Sequence, residues 1–191
     1  MRVGVMTRDT RETKIYLKLE LDGEGLHAVD TGVGFLNHML ELFSVHAGVD
    51  LTVRCQGDTD VDFHHSVEDV GICLGQAFQA ALGDKKGIAR FADRIVPMDD
   101  VAALVALDIG GRPYLNPRKP VARKLAAFRR ALGRAGLRAC PFHAGVNLYV
   151  DLLCEGNLHH EAEAIFKALA RCVRDAVKVV SDTIPSSKGV L

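Results

Sequence analysis

The sequence predicts an α+β protein built from two similar tandem halves, and three observations carry that expectation. A short pattern occurs twice, as HAGVDLTV at 46–53 and HAGVNLYV at 143–150. A His-His-x-x-Glu cluster follows each copy: His64, His65 and Glu68, then His159, His160 and Glu163. Strand-like and helix-like periodicities surround both copies in the same order. One domain of two halves, about 1–86 and 87–191, is expected, with sheets that pack helices on one side.

Residues 13–21 alternate, with Ile15, Leu17, Leu19 and Leu21 on one face and Tyr16, Lys18 and Glu20 on the other, as a half-buried strand does. Asp22-Gly23-Glu24-Gly25 reads as a turn. Leu36, Met39, Leu40 and Phe43 then fall at helical spacing, and Val49 to Cys55 alternates again. Asp62 is placed to cap a long helix carrying Val67, Val70, Ile72, Leu74 and Phe78. In the second half Val101 to Leu107 reads as a buried strand, followed by a turn at Gly110-Gly111-Arg112-Pro113. Val146 to Leu153 is a further strand. Asn157 takes the capping place of Asp62 before a helix bearing Ala162, Ile165, Phe166, Leu169 and Val173.

With 191 residues, 48% of them hydrophobic, and equal numbers of acidic and basic side chains, the chain has enough material for one good core. No run approaches the ~18 apolar residues of a membrane span. The chain opens on Arg2, Arg8 and Asp9 rather than an apolar stretch, so no signal peptide is expected. Five cysteines without a CxxC spacing read as reduced thiols in the cytoplasm. The even charge balance hides a basic window: Ile109 to Val150 contains no acid and nine Lys or Arg. No aromatic or glycine-rich reading motif accompanies that window, so no nucleic-acid partner is expected.

The two clusters carry the chemistry. Each cap residue lies two positions before the first histidine, which puts both His pairs in a first helical turn. His64 and Glu68 are four apart and share a face, as do His159 and Glu163. His65 and His160 are rotated by about 100° and point elsewhere. Adjacent histidines on a helix therefore serve two ions more readily than one. Imidazole plus carboxylate without thiolate suits Mn, Fe or Zn. The bland alternative is a set of exposed cap histidines, and the repetition argues against it. His38 is a further candidate, while His46 and His143, at equivalent places before strands, read as structural.

These residues belong to longer stretches that resemble the imidazoleglycerol-phosphate dehydratases. The resemblance runs through TGVGFLNHML at 31–40, DFHHSVEDVGICLGQA at 62–77, KGIARF at 86–91, PMDD at 97–100, DIGGRPYL at 108–115, GNLHHEAEAIFKALAR at 156–171 and IPSSKGVL at 184–191. It implies two halves of the ribosomal protein S5 domain 2-like type. It also implies a homo-oligomer, trimers building a twenty-four-subunit shell with two Mn ions per site at subunit contacts. The implied metal ligands are His38, His64, His65, Glu68, His159, His160 and Glu163. Glu12 is the implied proton-transfer residue, with Glu68 and Glu163 as further catalytic carboxylates. Arg90, Arg112, Ser187 and Lys188, with Ser186 a weaker candidate, are implied to hold a substrate phosphate. The implied reaction is the loss of water from imidazole glycerol phosphate in histidine biosynthesis, without membrane or nucleic acid.

Three departures stand against that pattern. Asn37 replaces an aspartate beside His38, a change expected to soften metal binding. Tyr149 replaces a histidine. From about Pro117 to His143 the resemblance lapses, which leaves a non-catalytic Mn-binding assembly protein as the alternative reading. Codons for Phe128 to Arg138, read one base later, permit Phe-Asp-x-x-Leu-Val-Glu-x-x-Phe, the family's pattern at the family's spacing. A shifted reading frame, restored near Ala144, is thus expected for this window, with true divergence as its alternative. As written, Lys124 to Leu132 could still form a helix with one apolar stripe.

Overall fold

A computed structural model describes residues 1–117 and 134–191. The expectations for the codon-shifted window and for a helix over 124–132 fall wholly or largely outside the described residues. Two four-stranded sheets are present among those described. The first contains β1 (Val3–Asp9), β2 (Thr13–Glu20), β3 (His27–Asp30) and β4 (Asp50–Gly57) in the order β1-β2-β4-β3. The second contains β5 (Phe91–Met98), β6 (Val101–Asp108), β7 (Tyr114–Pro117) and β8 (Asn147–Cys154) in the order β5-β6-β8-β7. In each sheet three strands run antiparallel and the fourth pairs in parallel through a helical crossover. The crossovers are α1 (Gly34–Ala47) and α3 (Arg134–Ala144). After the last strand of each half comes a long helix, α2 (His64–Leu82) or α4 (Leu158–Ala176).

Strand alternation decides which face is covered. Thr13, Ile15, Leu17 and Leu19 of β2 point inward with Leu51 and Val53 of β4, and Val101, Ala103, Val105 and Leu107 do the same in β6. Leu17 and Leu19 are fully buried, each worth about 1.5–3 kcal/mol of transfer free energy. The helices cover this inner face, α2 against β1 and β2 and α4 against β5 and β6. The halves then meet helix to helix, α1 against α4 and α2 against α3. Gly75 is a point of close approach in the second pairing. A Cβ there would lie 2.5 Å from the Cys140 carbonyl oxygen and 2.9 Å from the Ala144 nitrogen. The α1–α4 contact brings residues of different halves into one site.

Candidate metal centre

Both long helices begin on a histidine pair because a polar side chain two residues upstream meets the first free N–H. Asp62 Oδ1 accepts from the His64 N–H at 2.7 Å, and Asn157 Oδ1 accepts from the His159 N–H at 2.9 Å. In α2 the residue bordering the helix is Phe63, so Asp62 caps from one position further out than Asn157 does.

In the second half the first histidine turns toward Glu163. His159 Nε2 lies 3.0 Å from Glu163 Oε1, and His38 Nε2, arriving from α1 of the other half, lies 3.1 Å from the same oxygen. The two rings stack with centroids 5.8 Å apart. Lys167 Nζ donates to the other oxygen, Glu163 Oε2, at 2.6 Å. Burial pushes the Glu163 carboxyl up, but hydrogen bonds from Lys167 and His38, the Lys167 charge and the His159 contact outweigh it and hold the group at about 2. The second histidine points away: His160 Nδ1 is 3.0 Å from Asp100 Oδ1, and its Nε2 is 3.6 Å from Asp99 Oδ2. The Asp100 hydrogen bond raises the His160 pKa, and the same contact lowers that of Asp100.

The first half repeats the split with looser contacts. His64 Nε2 stands 3.4 Å from Glu68 Oε2 on the shared helical face. His65 Nδ1 meets Asp58 Oδ2 at 2.9 Å, which raises the His65 pKa, and its Nε2 lies 3.7 Å from Glu12 Oε1.

His38, His159 and Glu163 offer ligand atoms that all lie within 4.8 Å of one another. Two imidazole nitrogens about 3 Å from one carboxylate oxygen match neighbouring ligands on a divalent ion with bonds near 2.1 Å. The donor set therefore fits the group that the sequence implies. Every ring of the His pairs faces at least one carboxylate, the kind of contact that fixes ring orientation in metal sites. Asp58, Asp99, Asp100 and Lys167 were not singled out by the sequence. Lys167 had a readable signal, four residues after Glu163. Asp58, by contrast, has no local signature.

The anion-binding candidates gather elsewhere. Arg90, with a left-handed backbone (φ 72°), donates through Nε to Asp108 at 2.7 Å and through Nη1 to the Pro185 carbonyl at 2.8 Å. This brings the Ile184–Lys188 segment against the end of β6 and the turn leading to Arg112. Arg112, Ser187 and Lys188 are exposed. The Arg90 N–H also bonds the carbonyl of Ala176, the last residue of α4. His159 and the Ala176 carbonyl that Arg90 meets thus sit at opposite ends of a 19-residue helix, about 26 Å apart at 1.5 Å per residue. α2, also 19 residues, likewise begins at its histidines.

The sequence model of imidazoleglycerol-phosphate dehydratase matches residues 31–173. The chain belongs to the imidazoleglycerol-phosphate dehydratase family. It is 48% identical to the imidazoleglycerol-phosphate dehydratase of Syntrophomonas wolfei over 193 aligned positions, covering 100% of this chain and 98% of the relative. The Xanthobacter autotrophicus dehydratase is 49% identical, with 100% and 99% covered. Among solved structures, the Staphylococcus aureus imidazoleglycerol-phosphate dehydratase superposes with a TM-score of 0.79 at 34% identity, over 93% of this chain and 99% of that one. The Pyrococcus furiosus enzyme, in complex with (S)-C348, gives 0.72 at 32% identity, over 97% and 100%.

Against the family pattern, Asn37 acquires a definite task. Its Oδ1 accepts from the Thr31 N–H at 2.9 Å and from the Thr31 hydroxyl at 2.5 Å, pinning the loop before α1. Those contacts run to Thr31 and not to the neighbouring His38 ring. Tyr149 lies on the outer face of the second sheet, where its hydroxyl donates to Asp151 at 3.4 Å. Among the described residues no helix is long and apolar enough to cross a membrane.

Proposed function

We propose that this protein removes water from imidazole glycerol phosphate to give imidazole acetol phosphate, with a pair of Mn ions held by the histidine clusters. The observation that carries this reading is the meeting of His38, His159 and Glu163 from different halves of a chain in this family. His64, His65, Glu68 and His160 complete the ligand set, with Asp58, Asp99 and Asp100 fixing the rings that they face. When bound, the divalent ions supply Lewis-acid polarisation of the substrate imidazole. The carbon next to the imidazole loses hydroxide and its neighbour loses a proton; the enol then becomes the ketone, and one water leaves. Glu12, exposed on its hairpin and 3.7 Å from His65, carries the proton. Arg90, Arg112, Ser187 and Lys188 hold the phosphate, with Arg112 suited to paired N–H donation and Arg90 also tying the Pro185 segment to Asp108.

About 26 Å separates the anchor from the histidines within one chain, too far for one small substrate. The anchor of one chain therefore serves the centre of another, and the protein works as a homo-oligomer, as trimers in a twenty-four-subunit shell. Five cysteines, free in the structure, fit a reducing cytoplasm. The test is turnover of imidazole glycerol phosphate by protein stripped with chelator and then given Mn. Turnover restored by Mn is expected; tight Mn binding without turnover would refute the dehydratase reading.

A further inference from the structure

The hairpin that presents Glu12 is anchored differently from its duplicate. Aligning the halves on their HAGV strands and histidine clusters pairs Thr13 with Val101, Arg8 with Val96, Asp69 with Ala164 and Glu12 with Asp100. In the second half this place is apolar: Val101 and Ala164 are buried and Val96 packs on the core. In the first half a polar network fills it. Asp69, 7% exposed, accepts from Thr13 Oγ1 at 2.6 Å and pairs with Arg8 Nη2 at 3.0 Å. Thr13 Oγ1 lies 3.2 Å from Thr10 Oγ1, which accepts from the Glu12 N–H at 3.1 Å. A continuous chain of contacts thus runs from α2 to the Glu12 backbone.

Burying a carboxylate costs free energy unless donors meet it, and apolar replacements of similar shape commonly fold as well or better. The second half is that apolar replacement, in the same fold position of the same chain. What differs is the work of the hairpin tip. In the second half Asp100 itself ties the hairpin to the helix, through the His160 ring and the Asn157 N–H at 3.1 Å. In the first half Asp58 takes the His65 Nδ1, and Glu12 stands off.

We propose that Asp69, acting through Thr13 and Arg8, positions Glu12. It ties the hairpin to α2 one residue from Glu68, so the Glu12 carboxylate is not spent on the tie and stays available for proton transfer. This rests on the reading of Glu12 as the proton carrier. Thr13→Val copies the second half and deletes only the hydroxyl; Thr13→Val with Asp69→Ala copies it further. Both are expected to fold and bind Mn like the wild type, with KM within about twofold. The expected fall in kcat is roughly ten- to a hundredfold, the scale of an ångström-level misplacement. Thr13→Ser should restore it, and Thr13→Val should cost nothing further in a Glu12→Gln background. Unchanged kcat in the folded variants overturns the proposal, as does full additivity with Glu12→Gln. Loss of cooperative unfolding in Thr13→Val assigns the network to stability and overturns it too. Absence of turnover in the wild type strikes the dehydratase reading instead.

Discussion

The two histidine clusters share a sequence pattern and differ in surroundings. Glu163 has a side chain 10% exposed, and His38, His159 and Lys167 converge on it. Glu68, its counterpart, is 41% exposed beside His64 at 3.4 Å. The difference originates in the other half's crossover helix. α1 delivers His38 to the Glu163 cluster, whereas the position equivalent to His38 on α3, counted from the HAGV pattern, is Ala135. Duplication supplied the same helical start twice; what reaches it across the bundle makes one cluster converge within the single chain.

Substitutions at matched positions break this comparison in graded ways. Glu163→Gln is expected to have the largest effect, lowering Mn affinity in calorimetric titration and turnover by about a hundredfold or more, since it removes a charged ligand at the convergence point. The same carboxyl gives the metal-free protein an acid-sensitive limb. Its folded pKa lies below the unfolded value of 4.5, near about 2, so its stabilisation is present above 4.5 and drains as pH falls toward 2. A shift of that size corresponds to at most ~3 kcal/mol. Denaturant unfolding of the metal-free protein across this range should lose part of its pH slope in Glu163→Gln; an unchanged slope would remove Glu163 from the account.

Gly75→Ala tests the α2–α3 contact. Its counterpart on α4 is already Ala170, fully buried, while a Cβ at Gly75 meets backbone at 2.5 Å. A loss of about 1–3 kcal/mol in unfolding free energy is expected. Lys167→Met leaves Glu163 Oε2 without its ammonium donor and should weaken Mn binding by roughly tenfold, the scale for groups that orient ligands. Asn37→Asp is the mildest change. It keeps both acceptor contacts to Thr31 and adds a negative charge in the first turn of α1, so thermal unfolding should show a gain of about 0.3–1 kcal/mol. A large loss there would mean that the amide has another task.

The sequence was legible where burial enforces a pattern. β2, β4, β6 and β8 occupy the centre of their sheets, and their alternation or apolar runs marked them. Unmarked were β1, β3, β5 and β7, which are all edge strands. β3 and β7 have only four residues each, and β1 and β5 turn Arg8 and Arg94 inward to meet Asp69 and Asp175. A charged residue on the covered face hides a strand from periodicity, and only the tertiary partner explains it. The site followed the same rule. Helical spacing linked His64 to Glu68 and His159 to Glu163, but no spacing within the chain could bring Asp58 to His65. The assignment of His38, far away in sequence, rested on the family resemblance.

Mixing two inactive chains is the most direct test of a centre and an anchor that serve each other across chains. One chain carries Arg90→Ala and keeps its histidine centre; the other carries Glu163→Gln and keeps its anchor. Dissociated, mixed in equal amounts and reassembled with Mn, they should regain on the order of a quarter of wild-type turnover, because random assembly rebuilds intact sites between unlike neighbours. If activity stays at the level of the separate variants while the chains demonstrably co-assemble, anchor and centre belong to one chain and the account is wrong.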